Sequence, residues 1–553
     1  MPPSVPPEAS TDPAARAGFD AAPSAASQHA KPHGDGRGPR GPWGVLCSTL
    51  AAAKRALLLA SMPGASHKTS PLQDAGTALC RAFLAVAGFS TGALEVDDSE
   101  MLWVVDGAAY DLTDFVRHHP GGEKFLLRSR GRDITVTFNT YHPNPDRVRP
   151  VLAKYRVRDA RPGDVNKSMC DLPAFLIGED FDAARDLPRY AEQSGHLLPA
   201  LRALMSTREM REKIKAADRS FDVVSAGIFG LYVALQAAFL AGSLGMAPFV
   251  AAMVLTRIAL AGAGHYFLHR SAAWPWGILG FAFDVNYVGF ALVSTDGHVM
   301  LHHAFTMAPG DVKRGIFDAI KSLPRLYRLP VHTAHKLAQT VTGVFIRGSI
   351  VQMIETAKGR MPRDGHLIFA VFCLVRLALV AELVTFCVLG HFRVWFLQFF
   401  FTLWISTFQV VASHDLDAPC PQPDPSNDWA AFQVAHSYDM IFTGWKWADC
   451  FLTAGLGPHR VHHVLPYQRS GFANIISEPA LRRLCEQRGM AWAAPLSFWK
   501  QRFPVLVKRY LLAPAHSGAV RGLRGVLREH LSLEALRGCA RHVYLGALGE
   551  GSF

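Results

Sequence analysis

Long apolar runs occur in two pairs along this chain, each closed by a short turn. Phe221 to Gly242 is long enough to cross a bilayer, and the uncharged turn from Gly242 to Pro248 leads into a returning run, Phe249 to Gly264. His366 to Leu389 and Val394 to Val411 form the second pair, with Gly390-His391-Phe392-Arg393 at its tip. A hairpin returns its outer ends to one side, so the pattern predicts about four transmembrane helices whose outer ends share one membrane face. The apolar stretch Trp274 to Val293 opens on Trp-Pro-Trp and holds Asp284 and Asn286, so a re-entrant or interfacial segment is expected there. Arg257 interrupts the second run about two turns before His265. A cation at that depth either serves the function or snorkels to the headgroups.

Ahead of these runs the pattern changes. Residues 1–42 are rich in Pro, Ala, Ser and Gly without a sustained apolar run and are predicted to be disordered. Residues 43–94 read as a helical linker. From 95 to 159 the periods are short: Met101 to Val105 is a strand, Asp106-Gly107 a turn, and Ala108 to Leu112 a second extended piece. A small α+β domain is expected, joined by a charged connector at 160–220 to an all-α membrane domain at 221–504, with a basic tail at 505–553.

Charge changes the picture in one respect. The 553 residues are 50% hydrophobic yet carry a net charge of +12. The excess cations flank the apolar runs and no nucleic-acid motif occurs, so the expected partner is a bilayer and not a nucleic acid. Arg208, Arg211, Lys213, Lys215 and Arg219 precede the first run. Lys313, Arg314, Lys321, Arg325, Arg328, Lys336, Arg347, Lys358, Arg360 and Arg363 lie between the pairs. By the positive-inside rule these stretches, and both termini, face the cytosol. The nine cysteines are scattered and form no C-x-x-C, which argues against a disulfide framework or a cysteine zinc site.

Histidine supplies the candidate chemistry. His265 and His269 stand at i, i+4; His298, His302 and His303 at i, i+4, i+5; His459, His462 and His463 at i, i+3, i+4. Helical spacing puts each set on one face, beside an apolar run. Eight such imidazoles suit iron, zinc or copper and suggest two metal ions. Asp296, Asp311 and Asp415 are the nearest acids that could orient the rings. His332 and His335, inside the basic stretch, are expected to be surface polarity. A separate signal is His119-Pro-Gly-Gly122 followed by Tyr141-His142-Pro143: the Pro-Gly-Gly turn brings one imidazole to a flat ligand, and the second can close the other face. His118 reads as a solvated neighbour.

The segment from 95 to 159 resembles the cytochrome b5 domain, which implies haem b held by His119 and His142. The three histidine clusters resemble the boxes of membrane fatty-acid desaturases and related hydroxylases, over roughly Phe221 to Pro504. His298-x-x-x-His302-His303-Ala-Phe-Thr306 and Asp428-Trp-x-x-x-Gln433 look like desaturases fused to cytochrome b5, the front-end group, and Gly297 to Thr306 with Gly310-Asp311 looks like the vertebrate orphan desaturases of type six. The resemblance implies two iron ions held by the eight box histidines, dioxygen as co-substrate, and electrons from NAD(P)H through a cytochrome b5 reductase. It implies a multi-pass endoplasmic reticulum enzyme that introduces a C=C bond into a fatty acyl or sphingolipid chain, the substrate being a membrane lipid or an acyl-CoA, with its histidine-rich cap in the cytosol. A ninth ligand is expected at His414, just past the last apolar run, with His436 its rival. Tyr266, Met307 and His459 depart from the commonest box residues. A hydroxylase with the same ligands, or a haem-binding membrane protein without catalysis, is the alternative reading.

Overall fold

The computed structural model describes residues 101–165, 182–270, 276–289, 295–309, 311, 313, 317–357, 360–415, 420–421, 426–514 and 522–549. The expected disordered segment 1–42 and helical linker 43–94 lie outside them.

The N-terminal domain grows from one tight turn. Asp106 and Gly107 both have positive φ, 48° and 74°, the geometry a two-residue hairpin requires. The turn pairs β1 (Trp103–Val105) antiparallel with β2 (Ala108–Tyr110), and β3 (Arg156–Asp159) joins on the far side of β2. Three short helices close the domain: α1 (Glu123–Ser129), α2 (Thr135–Tyr141) and α3 (Pro145–Ala153). Trp103, Val105, Leu112, Val116, Leu126, Phe138 and Leu152 form its core. Trp103 is fully buried, and its indole N–H is satisfied by the Leu126 carbonyl at 2.9 Å.

Four helices among the described residues are long and apolar enough to cross a membrane: α4 (Arg208–Leu240), α5 (Met246–Leu268), α6 (Gly365–Val388) and α7 (Phe392–Ala412). They form the two expected hairpins. α5 and α7 are mostly buried, whereas α4 and α6 expose Val223, Phe229, Val233, Leu374, Val384 and Val388. The exposed apolar faces of the outer pair are those a bilayer would cover. Gly264 allows the tightest packing on α5: a β-carbon there would lie 2.1 Å from the Phe283 backbone nitrogen. Phe283 belongs to the 3₁₀ turn Gly280–Asn286, which follows the short helix Trp276–Leu279. That stretch is too short to span, as its polar residues predicted.

Arg257 does not snorkel. It is fully buried and pairs with Glu382 of α6, the Gln398 side chain of α7 (2.6 Å) and the Val285 carbonyl (3.0 Å). Arg376 and Asp284 make a second buried pair. A charge in an apolar layer persists only when so compensated.

The basic stretch between the hairpins does not present all its cations to the surface. It folds into α8 (Arg325–Ala338) and α9 (Val344–Ala357), and Lys313, Arg328, Lys336, Arg347 and Arg360 are all buried. These cations act inside the protein, which weakens the count of charges presented to a membrane surface. His332 and His335 are likewise buried, contrary to the expected surface role. What covers them is the C-terminal segment, which forms the helices Gly522–Leu531 and α10 (Leu533–Ala547). Glu529 pairs with Arg325 at 3.0 Å, and the His542 ring stacks on His335 at 4.4 Å.

Candidate metal centre

α5 ends at the centre. His265 and His269 lie one turn apart at its C-terminus, and their Nε2 atoms stand 2.8 and 3.0 Å from Nε2 of His298. His298 opens the second cluster, and the helix that its spacing predicted is a π-helix (Thr295–His302). The His303 amide donates to the His298 carbonyl at 3.0 Å, an i→i+5 bond. The wider turn keeps His298 and His303 together, with Nε2 atoms 3.2 Å apart, and turns His302 the other way. A π-turn is rare and recurs at functional sites.

Two groups of ligand atoms result. His265, His269, His298, His303 and His462 form the first; His302, His414 and His463 form the second. His459 adjoins the second, its ring 4.3 Å from His463 and 4.7 Å from His414. His414 thus sits among the box histidines. His436 is only partly buried and contributes its carbonyl, which accepts from His414 Nδ1 at 2.9 Å.

The outward ring nitrogens are held by acceptors that fix the tautomer. A carbonyl can only accept, so Nδ1 of His265 carries a proton for Ala454 O (2.9 Å), as His414 does for His436 O. His302 Nδ1 donates to both Asp311 oxygens at 3.0 Å, and His463 Nδ1 to Gln433 Oε1 at 2.9 Å. Nε2 is then left as a lone-pair donor facing the centre. Nε2 of His302, His414, His459, His462 and His463 is buried without a hydrogen-bond partner. Such atoms suit a metal, and neutral nitrogen ligands suit iron.

Electrostatics agree. Burial pushes His298, His303, His414, His459, His462 and His463 well below the ordinary imidazole range. His302 is pushed by burial to about 4 despite the carboxylate beside it. Burial acts to raise Asp311, but the His302 contact and the Met307 and Lys313 amides outweigh it and hold the carboxyl at about 2. At neutral pH the rings are neutral and Asp311 is ionised. Asp415 touches Tyr438 and Arg502 and no box histidine. The Asp296 side chain lies outside the described residues.

The haem-ligand candidates face each other across a cavity of about 730 Å³. The His119 and His142 ring centroids are 6.3 Å apart. Two collinear metal–nitrogen bonds of about 2 Å plus the ring radii give roughly that separation. His119 Nδ1 donates to Gly122 O at 2.9 Å and His142 Nδ1 to Phe138 O at 2.8 Å, again leaving Nε2 to a metal. Gly121 makes the first ring's position possible, since a β-carbon there would lie 2.8 Å from His119 Cε1. His118, on the same cavity, is exposed.

The same cavity is lined by His269, Arg270, Met300 and Tyr467 of the membrane domain. Tyr141, next in sequence to His142, places its hydroxyl 2.9 Å from His269 Nδ1, with the two rings parallel within 4°. One hydrogen bond therefore joins the haem pocket to the metal-facing histidines. Sequence reasoning saw Tyr141 only as part of a familiar tripeptide; its partner is 128 positions away.

Comparison with known proteins agrees with this geometry. Residues 93–161 match the cytochrome b5-like heme/steroid binding domain, and residues 238–495 match the fatty acid desaturase family. An acyl-lipid omega-13 desaturase of Chlamydomonas reinhardtii is 26% identical over 70% of this chain and 88% of its own length. A probable Delta(5) fatty acid desaturase C of Dictyostelium discoideum is 23% identical over 70% and 86%, and a cytochrome b5-related protein of Drosophila melanogaster 23% over 74% and 88%. No solved structure matches. With both domains matched in this order, and the similarity running through nearly the whole length of these relatives, the chain carries a cytochrome b5-like domain followed by a fatty acid desaturase domain.

Proposed function

We propose that this desaturase removes two hydrogens from the acyl chain of a membrane lipid at a di-iron centre fed by its own haem. The observation that carries the reading is the contact between the haem pocket and the first histidine group, at Tyr141 and His269. His265, His269, His298, His303 and His462 would hold one iron; His302, His414, His459 and His463 the other. His119 and His142 would hold the haem. When bound, the irons supply oxygen activation at an alkyl carbon and the haem supplies single electrons.

The chain's own residues do the rest. Asp311, Gln433 and the Ala454 and His436 carbonyls hold their rings in the metal-facing tautomer, and the Tyr141 hydroxyl meets Nδ1 of His269. Near-complete burial of the rings keeps water out and protons off them. NAD(P)H, through a cytochrome b5 reductase, is the electron source that suits a cytochrome b5 domain. The basic first turns of α4, Arg208 to Arg219, support a cytosolic centre in the endoplasmic reticulum membrane. Relatives named as acyl-lipid desaturases support an acyl lipid, with acyl-CoA the other candidate.

The test is expression in a yeast host followed by lipid mass spectrometry. The reading expects new unsaturated acyl chains, absent with His302→Ala. Hydroxylated lipid as the sole product would convert it to a hydroxylase.

A further inference from the structure

A third histidine cluster lies outside the two groups and shares no residue with them. His332 and His335 stand one turn apart on α8, and His542 reaches them from α10. All three are buried, and each offers a ring nitrogen, these atoms lying within 4.8 Å of one another. His332 Nδ1 and His542 Nε2 are 3.1 Å apart, much as the box nitrogens are. Two nitrogens on one tetrahedral metal at about 2.0–2.1 Å stand about 3.3 Å apart. His335 Nδ1 donates to the His542 carbonyl at 2.7 Å, which fixes its tautomer and leaves Nε2 as a ligand.

The surrounding chain is shaped to bring these rings together. Gly546 lies one turn beyond His542, where a β-carbon would fall 2.7 Å from His335 Nδ1. Gly343 meets the same segment, a β-carbon there lying 2.0 Å from the Gly546 carbonyl oxygen. The glycines let α10 approach α8 closely enough for three imidazoles to converge. Trp404 of α7 packs on His332 at 5.5 Å.

We propose that His332, His335 and His542 form a third metal site, for a single zinc ion, which fastens the C-terminal helix to α8. Three neutral imidazoles suit zinc, a water molecule can complete the tetrahedron, and none of the redox work of the iron centre is asked of it. Binding stabilises the packed position of α10, because the ligands come from segments about two hundred residues apart.

The test uses the full chain, purified in detergent, loaded with zinc after iron reconstitution and washed free of loose metal. Elemental analysis is expected to find about one zinc per chain, falling at least about tenfold in His542→Ala and His332→Gln while iron and haem stay unchanged. Zinc must persist in His302→Ala. Zinc lost there but retained in His542→Ala would place the metal at the box histidines and overturn the proposal. X-ray absorption at the zinc edge of the unmutated protein covers a variant that fails to fold. Nitrogen neighbours with imidazole scattering are expected; no bound zinc, or a shell without imidazole, would overturn it as well.

Discussion

Tyr141 is none of the candidate ligands, so its hydroxyl can be removed with every one of them left in place. Tyr141→Phe removes the hydroxyl that meets His269 and leaves the parallel ring stacking. Losing one buried hydrogen bond costs on the order of 1–3 kcal/mol, enough to slow a coupled step roughly five- to a hundredfold. Stopped-flow oxidation of the reduced haem should slow by that order while the haem spectrum and iron content stay intact. An unchanged rate would leave the tyrosine a packing role only. Asp311→Asn keeps the shape and removes the charge facing His302. Iron affinity is expected to fall roughly ten- to hundredfold in chelator competition. The His302 ring also gives a pH dependence. Its folded value near 4 lies below that of a free imidazole, so between about 6.5 and 4 the unfolded chain binds more protons. The metal-free protein should lose stability as pH falls through that window; a melting temperature flat across it would contradict the assignment. Ten of the eleven expected ligands were readable from spaced motifs, and His414 from its place just past the last apolar run. Of their orienting partners Asp311 was readable, nine positions from His302, whereas Tyr141, Gln433 and Ala454 were not, because they meet histidines 128, 30 and 189 positions away.

At the scale of elements, the hairpins followed from apolar run length, and the depth of Arg257 marked it as unusual. Its partner could not be read, since Glu382 lies on another helix. Arg257→Leu should destabilise the membrane domain by about 3–5 kcal/mol by stranding Glu382, whereas a paired Arg257→Leu, Glu382→Leu change should cost far less. Detergent-resistance or unfolding assays of the three variants test this; equal losses in single and double variants would mean the pair is not the unit. The π-turn at His298 to His303 was invisible because i, i+4, i+5 spacing fits an α-helix and a π-helix alike. The buried cations of α8 and α9 were misread for a different reason. Lys and Arg report a preference for water, and the partners that satisfy them inside, such as the Tyr510 carbonyl for Arg328 and the Val288 carbonyl for Lys336, lie far along the chain.

For the whole molecule, both hairpin tips, near Gly245 and His391, should lie on the side opposite the histidine groups. An acceptor glycosylation site inserted at His391 is expected to be modified, and one placed at Arg363, which is exposed, is not; the reverse pattern would invert the orientation. The order of domains and the two redox sites were legible because each rests on clustered residues within a short span. Their meeting was not, as it depends on how a domain near residue 141 docks against a helix ending at 268. That docking is the central claim, and single-turnover oxidation of the fused haem tests it most directly. With the haem reduced beforehand, oxygen and acyl lipid should oxidise it in step with double-bond formation in the unmutated chain. In His302→Ala the haem should stay reduced far longer and no double bond should form. Haem oxidation equally fast in both, or product formed without it, would contradict the account.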